Sequence, residues 1–191
     1  MSTKGDLTRA QIKQQARRLF AAKGFACVTM QDICEACDLS RGGLYRHYVS
    51  TGEIFCAILD DDEAAALESL RQATENHVPA STMFRTFLEN RIRAVTDPTI
   101  SIENAVAEFS AQDSKGHYFL CRRGENSIRI LTHMLEQGIA DGDFICRVGT
   151  PASIAKHVLW MIEGMAQHSL LMPLTDDEIA EQIALIEAML H

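Results

Sequence analysis

Apolar residues recur every three or four positions along most of the chain, which is the spacing of one face of an α-helix. No segment alternates apolar and polar residues over the length of a convincing strand. Capping residues, prolines and glycines separate the periodic segments, so the pattern predicts an all-α fold of about nine helices. The expected helices begin after Thr8, Thr29, Ser40 and Ser50, near Ser81, residue 99 and His117, at Pro151 and after Thr175.

Two short helical patterns follow one another in the string TMQDICEACDLSRGGLYRHY. Thr29 is a natural N-cap for the first helix because Asp32 stands three positions later, and Ser40 caps the second. Asp38 and Leu39 form the tight turn between them. This arrangement predicts a helix-turn-helix whose second helix enters a groove of DNA.

The second of these helices has a core face and an outer face. Leu44 and Tyr48 are four positions apart and are expected to point inward. The residues expected on the outer or leading side, where base edges would be met, are Arg41, Gly42, Gly43, Tyr45 and Arg46. Two glycines cost a short helix about 1–2 kcal/mol of propensity, which favours a close approach of the backbone to DNA as their purpose.

Charge is unevenly distributed along the chain, whose 191 residues carry a formal net charge of −8. Residues 1–60 hold eight Lys/Arg and six Asp/Glu, a net of +2, whereas residues 61–191 hold ten and twenty, a net of −10. We therefore expect a phosphate-facing surface on the first and recognition helices, with a solvated basic face as the alternative. Its expected members are Arg9, Lys13, Arg17, Arg18, Lys23, Arg41, Arg46 and His47.

Composition and absent motifs restrict the classes of function. A chain that is 47% hydrophobic and 6% aromatic suits an all-helical protein. No signal peptide and no apolar run of about 18 residues is seen, so we expect a cytoplasmic protein without membrane contact, whose cysteines are mostly reduced. No phosphate-loop, dinucleotide-binding, zinc-protease or hydrolase motif occurs, so the expectation is no enzyme, no cofactor and no metal.

The pair Cys34 and Cys37 allows two interpretations. As small hydrophobes, the two thiols would pack beneath the helix-turn-helix. Alternatively, a C-x-x-C pair beside the recognition helix would be a thiol switch or half of a zinc site. Zinc takes four ligands, and the nearest further candidates, Cys27 and His47, have no convincing spacing.

The second half of the chain is expected to dimerise and to bind a ligand. The eighth predicted helix is apolar nearly all round, which predicts that one side faces its own core and the other a partner subunit, and the ninth carries a continuous apolar stripe. The expected dimer contacts are Leu159, Ile162, Gly164, Met165, Ile179, Ile183, Ile186 and Leu190. The candidates for lining an effector pocket, each with core packing as its alternative, are Phe84, Phe87, Phe109, Phe119, Met134, Trp160 and Met161, with His133 and His168 as polar anchors.

The first sixty residues resemble the DNA-binding domain of the tetracycline-repressor (TetR/AcrR) family of bacterial transcription regulators. The resemblance rests on Ile12, the segment ARRLFAAKGF, Thr29, Ile33, Leu39, Ser40, the string LYRHY and Ser50. It implies an all-helical homodimer whose first three helices bind an operator and whose remaining helices bind a ligand and dimerise. By position, the DNA contacts would come from Thr29, Gln31, Arg41, Gly42, Gly43, Tyr45, Arg46, His47 and Thr51. Among them Gln31, Arg41 and Arg46 would read bases, whereas Tyr45 and His47 would hold phosphates.

Three features depart from the family's pattern. Thr51 stands where the family usually has a lysine that grips a phosphate, so one charged contact is missing. Asp38 stands where the turn usually has glycine, and it must therefore accept a strained or left-handed backbone. Cys34 and Cys37 replace alanines of the second helix.

The sequence thus predicts a DNA-binding domain at residues 1–50 and an effector-binding and dimerisation domain at residues 51–191. We expect a homodimeric regulator of transcription, by default a repressor, released from a palindromic double-stranded operator by a small, largely apolar effector. Its two recognition helices would lie about 34–36 Å apart, and the effector would change that distance. Thiol control through Cys34 and Cys37 is an alternative, as are a helical adaptor that does not bind DNA and a helical enzyme.

Overall fold

The computed structural model describes residues 4–97, 101–112 and 114–190. Over these ranges the chain forms nine α-helices and no strand, so the all-α prediction is confirmed. The helices are α1 Lys4–Lys23, α2 Met30–Cys37, α3 Arg41–Tyr45, α4 Thr51–Glu75, α5 Ala80–Thr96, α6 Glu103–Gln112, α7 Ser114–Ala140, α8 Pro151–Ser169 and α9 Asp176–Ala188. None of these helices is both long and apolar enough to cross a membrane.

Two helices begin earlier than predicted, and a third predicted start lies outside the described residues. Helix α7 begins at Ser114, three residues before the expected start near His117. Thr8 is inside α1, which already begins at Lys4. The earlier start is physically reasonable because Asp6 then lies in the first turn, where the helix dipole favours a negative charge. The expected beginning near residue 99 falls in a segment that the structure does not describe, and α6 is helical from Glu103.

By their packing, the helices form two compact units. The N-terminal unit comprises the chain up to Glu68 together with Ile102–Phe119, and the C-terminal unit comprises Ser69–Ser101 together with the residues from Leu120 onward. The N-terminal unit is thus larger than the segment 1–50 expected to bind DNA. It also includes the first part of α4, all of α6 and the start of α7.

An aromatic cluster holds the N-terminal unit together. Phe20 and Phe25 stack with ring centroids 5.6 Å apart. Phe55 of α4 meets Phe20 edge-on at 4.9 Å, and Phe109 of α6 lies 4.8 Å from Phe25 and 5.1 Å from Phe55. Rings at such distances attract one another beyond the effect of burial. The cluster therefore fastens α4 and α6 to α1.

A carboxylate of α6 also binds the loop after α1. Glu108 Oε2 accepts a hydrogen bond from the backbone N–H of Ala26 at 2.8 Å. Gly24 adopts a positive φ of 75°, and a Cβ atom at this position would lie 2.6 Å from Glu108 Oε1. Only glycine satisfies both the backbone conformation and the close approach of the carboxylate.

The core of the C-terminal unit uses most of the residues expected at a dimer interface. Apolar side chains of α5, α8 and α9 pack together with those of α7, and Phe84 meets Phe144 edge-on at 5.7 Å. The core includes Ile162, Ile179, Ile183, Ile186 and Leu190, which are at most 8% exposed. Their assignment to a partner-facing surface is wrong, because the stripe on α9 covers the protomer's own core.

Candidate DNA interface

Helix α2 begins with a complete capping box. Thr29 Oγ1 accepts a hydrogen bond from the Asp32 N–H at 3.2 Å, and Asp32 Oδ2 accepts the Thr29 N–H at 2.9 Å. These bonds from Thr29, followed by the contact with Lys23 at 3.0 Å, hold the pKa of Asp32 well below its usual range. The box fixes the start of the helix that carries Gln31, whose amide donates to Glu35 at 2.9 Å.

The turn between α2 and α3 has the backbone geometry expected from the sequence. Asp38 adopts φ 53° and ψ 44°, the left-handed conformation that was predicted for it. The N–H of Leu39 donates to the carbonyl of Cys34 at 3.0 Å and closes the end of α2. Ser40 Oγ then accepts the N–H of Gly43 at 3.1 Å, which begins α3.

Helix α3 presents most of its predicted contact residues to solvent. Leu44 and Tyr48 are buried as expected. Arg41, Gly42 and Tyr45 are exposed on α3, and Arg46, directly after the helix, is exposed too. His47 is half-buried. A Cβ atom added to Gly42 would have no atom within 4 Å, so this glycine borders open space.

Gly43 is buried, and the prediction that it lies on the outward side is wrong. A Cβ atom at Gly43 would lie 3.2 Å from Ser40 Oγ and 3.9 Å from Leu39 Cβ. The capping side chain and the turn cover this position. Gly43 therefore allows the cap to close on the helix.

Arg9 of α1 reaches the residues that follow the recognition helix. Its guanidinium lies 5.5 Å from the ring centroid of Tyr48 and donates to the carbonyl oxygen of His47 at 3.5 Å. A guanidinium over an aromatic face is attracted by the ring electrons. Arg9 therefore helps to hold the end of α3 against α1.

The basic face expected on α1 is largely neutralised within the unit. Lys13 pairs with Asp61, and both Nη atoms of Arg17 donate to Asp62 at 2.9 Å. Acidic residues just beyond position 60 thus fold back on α1 and pair with these cations in the free protein, and their contact with phosphates stays a prediction. The N-terminal unit holds nine Lys/Arg and thirteen Asp/Glu, a net of −4, so it is not basic overall.

Burial favours a packing role for the two cysteines of α2. Cys34 and Cys37 are each 3% exposed. Burial, and next the neighbouring Cys34, raise the pKa of the Cys37 thiol, which disfavours the reactive thiolate. Among the described residues, no cluster of three or more His, Cys, Asp or Glu side chains offers a metal site.

The residues expected to line an effector pocket have different environments, and core packing, their alternative, holds for Phe84 and Met134. Phe84 and Met134 are in the core of the C-terminal unit, whereas Phe109 and Phe119 belong to the N-terminal unit. Phe87 and Met161 are half-buried against the C-terminal core, and Trp160, His133 and His168 are exposed. The spacing of these residues along their helices could not distinguish core from cavity.

Two shallow depressions lie on the surface, one in each unit. The depression in the N-terminal unit has a volume of about 440 Å³ and is lined by Arg9, Lys13, Tyr48, Glu53, Cys56, Ala57, Asp60 and Asp61. That in the C-terminal unit has a volume of about 560 Å³ and is lined by Arg147, Val148, Gly149, Ser153, Ile154, His157, Ala188 and Met189. Neither contains a residue expected at the effector site, and no periodic pattern in the sequence indicated either depression.

The N-terminal unit of this all-α chain carries an exposed helix-turn-helix, and each of its two helices begins with a capping residue. This is the architecture of a DNA-binding regulator of transcription. A family model described as "Bacterial regulatory proteins, tetR family" matches residues 12–58. A second, "Tetracyclin repressor-like, C-terminal domain", matches residues 83–180. The chain belongs to the tetracycline-repressor family, as predicted, and members of this family are transcription regulators, not enzymes.

The chain is similar to other regulators, some over nearly its whole length and some over its first part. It is 29% identical to the uncharacterized HTH-type transcriptional regulator YfiR of Bacillus subtilis, over 96% of this chain and 88% of that one. It is 36% identical to the HTH-type transcriptional regulator UidR of Escherichia coli K12, over 39% and 38% of the two chains. A TetR-family regulator from Agrobacterium tumefaciens has the same fold, with a TM-score of 0.80 at 16% identity over 98% of this chain and all of that one.

Proposed function

We propose that this regulator is a homodimeric repressor, released from a palindromic operator by a small and largely apolar effector. The observation that carries the proposal is the exposed face of Arg41, Gly42, Tyr45 and Arg46 on a capped recognition helix. A helix of this kind contacts base edges with its N-terminal residues. Arg41 and Arg46 have the guanidinium fork that pairs with guanine, and Tyr45 has a hydroxyl suited to a phosphate.

The remaining contacts would come from the ends of the neighbouring helices. Thr29 and Gln31 are exposed at the start of α2, and Thr51 is half-buried at the start of α4. Hydroxyl, amide and backbone N–H groups at helix starts bind phosphate oxygens without a full charge. Gly43 would contribute through its backbone only, and His47 through the exposed part of its ring.

The proposed dimer uses apolar residues that the C-terminal core leaves uncovered. Trp160 on α8 is 64% exposed, Leu171 after α8 is 85% exposed and Leu185 on α9 is 53% exposed. Contiguous patches of exposed apolar side chains are typical of protein interfaces, and the proposed dimer requires these three to belong to one patch. Half-buried Leu159 and Met165, together with exposed Gly164, would add to this surface. The proposed interface therefore still uses α8 and α9, although five of the residues expected there are buried in the protomer core.

Release by an effector would require the C-terminal unit to rearrange. The large core side chains Phe84, Leu88, Leu131 and Leu135 are at most 1% exposed. An effector that enters among them must favour a second packing, and it shifts the population only by its difference in affinity for the two states. In the proposed mechanism, the second state holds the two recognition helices at a distance that does not fit successive major grooves.

Selection of bound fragments from genomic DNA tests the proposal. We expect a palindromic sequence, bound with an affinity that Arg41→Ala lowers by about 1–3 kcal/mol, the usual contribution of a bidentate base contact. Arg147→Ala is the matched control, because it removes an exposed arginine from the C-terminal unit. Equal losses in both variants, or no selected sequence, would contradict the proposal.

A screen of metabolites against the protein–operator complex then tests the effector. Release by an apolar compound, but not by a thiol oxidant, is the expected result because Cys34 and Cys37 are buried. Release by the oxidant that is lost in the Cys34→Ala, Cys37→Ala variant would instead establish thiol control.

A further inference from the structure

Three cations follow one another along a single face of α1. Arg9, Lys13 and Arg17 are spaced four residues apart, which places them one above the other on the helix. The first contacts the end of the recognition helix, as described above. The other two form the α1–α4 ion pairs, Lys13 with Asp61 and Arg17 with Asp62.

The α1–α4 ion pairs lie at the surface. The side chains of Lys13 and Arg17 are 23% and 36% exposed, and those of Asp61 and Asp62 are 57% and 44% exposed. Pairs this exposed add little to stability because water and salt screen them. Packing of α4 on α1 is already provided by Phe20 and Phe55. The main physical consequence of the pairs is therefore the local charge of the unit that carries the recognition helix.

Local charge decides how tightly a protein binds DNA of any sequence. Each phosphate neutralised by a lysine or arginine releases counterions, and this term supplies nearly all non-specific affinity. A cation that is paired with a carboxylate neutralises no phosphate unless the pair is broken. The carboxylate also repels phosphates within a Debye length, about 8 Å at physiological ionic strength.

We propose that Asp61 and Asp62 are specificity-determining residues that restrain Lys13 and Arg17 from contacting phosphates. The inference rests on the proposed DNA-binding function and adds a role for residues outside the helix-turn-helix. While Lys13 and Arg17 are paired, the affinity for DNA depends mainly on α3, which reads the base sequence. A free basic surface on α1 would instead bind duplex of any sequence. The pairs lower binding to non-operator duplex and raise the ratio of operator to non-operator affinity.

The test compares the double variant Asp61→Asn, Asp62→Asn with Asp60→Asn. Asp60 is an exposed carboxylate of the same helix for which the described residues show no ion pair, so it is a matched control for overall charge. Affinities for the selected operator and for a random duplex are measured at several salt concentrations. Circular dichroism confirms that each variant is folded, and the two single variants replace the double variant if it is not.

We expect the double variant to bind random duplex more tightly, with a slope of log affinity against log salt that is steeper by about one to two per protomer. The ratio of operator to random affinity falls, and Asp60→Asn causes less than half of either change. Adding Lys13→Gln to Asp61→Asn should reverse the gain of the single Asp61→Asn variant, because the released cation is then absent.

Two results would overturn the inference while the proposed function stands. In the first, the wild-type chain binds its operator but the double variant keeps the wild-type salt slope. In the second, Asp60→Asn, which removes one charge where the double variant removes two, reproduces half of the effect or more, which would assign the effect to net charge. A wild-type chain that binds no duplex even at low salt contradicts the proposed function itself and leaves the α1–α4 ion pairs with a structural role only.

Discussion

Two adjacent glycines of α3 have different environments. A Cβ atom at Gly42 meets nothing within 4 Å, whereas one at Gly43 lies 3.2 Å from Ser40 Oγ. From the sequence, both glycines were expected on the outer side of the recognition helix. The sequence could not show that Gly43 lies beneath its own capping residue, because that depends on how tightly the turn at Asp38 closes.

Gly42→Ala should therefore stabilise the free protein and weaken operator binding. Alanine improves helix propensity by up to about 1 kcal/mol, and the new methyl group occupies the space into which DNA backbone or bases would fit. Thermal unfolding and operator affinity, measured on the same samples, check both effects. Gly43→Ala should bring no gain in stability. An unchanged operator affinity for Gly42→Ala would show that this glycine does not approach DNA.

The capping box of α2 should make stability depend on acid pH. Because the pKa of Asp32 is lowered on folding by Thr29 and Lys23, its contribution is fully present above the unfolded pKa of about 3.9 and is lost as pH falls through the folded value. We expect the urea midpoint of the wild type to exceed that of Asp32→Asn at pH 6. The difference should shrink progressively below about pH 4. A difference that stays constant from pH 6 to pH 2 would contradict this account.

At the scale of elements, α6 is held to the N-terminal unit by contacts far apart in sequence. Glu108 binds the N–H of Ala26, and Phe109 completes the aromatic cluster. Helix α6 was predicted from the sequence, and Phe109 was a candidate for lining an effector pocket with core packing as its alternative. In the structure Phe109 is buried in the aromatic cluster. Periodicity indicates that a face is buried, and only the three-dimensional fold shows against what.

Gly24→Ala tests the contact between α6 and the loop after α1. Alanine at a φ of 75° is strained by about 1 kcal/mol, and its Cβ atom would also meet the Glu108 carboxylate. We expect a loss of about 2 kcal/mol or more in free energy of unfolding, measured by urea denaturation. In a Glu108→Ala background the same substitution should cost only the backbone part. Equal costs in the two backgrounds would show that Glu108 does not crowd this loop.

The charge pattern shows the same limit of sequence reasoning. A division at residue 60 gave a basic first part, yet Asp61 and Asp62 fold onto Lys13 and Arg17. The pairing joins residues 45 to 48 positions apart, and no local rule predicts it. The local signals, by contrast, were reliable. The cap at Thr29 was predicted correctly because it depends on neighbours within a few residues, and the left-handed Asp38 because the family resemblance places it where the turn usually has glycine.

At the scale of the whole molecule, the account requires two protomers. Trp160→Lys should convert the protein to monomers without unfolding it, since the side chain is 64% exposed and lies outside the protomer core. Tyr118→Lys is the matched control, because Tyr118 is an aromatic residue of similar exposure, at 70%, in the N-terminal unit. Light scattering after size-exclusion chromatography measures the mass. A dimer that tolerates Trp160→Lys, or a wild-type monomer, would contradict the proposed interface.

The spacing of the two half-sites tests the central claim most directly. Two recognition helices on a rigid dimer fit half-sites whose centres are one turn of DNA apart, about 10–10.5 base pairs. Five base pairs inserted between the half-sites of the selected operator place the second half-site on the opposite side of the duplex. We predict that affinity for this operator falls to that of random DNA, whereas affinity unchanged by the insertion would contradict the account.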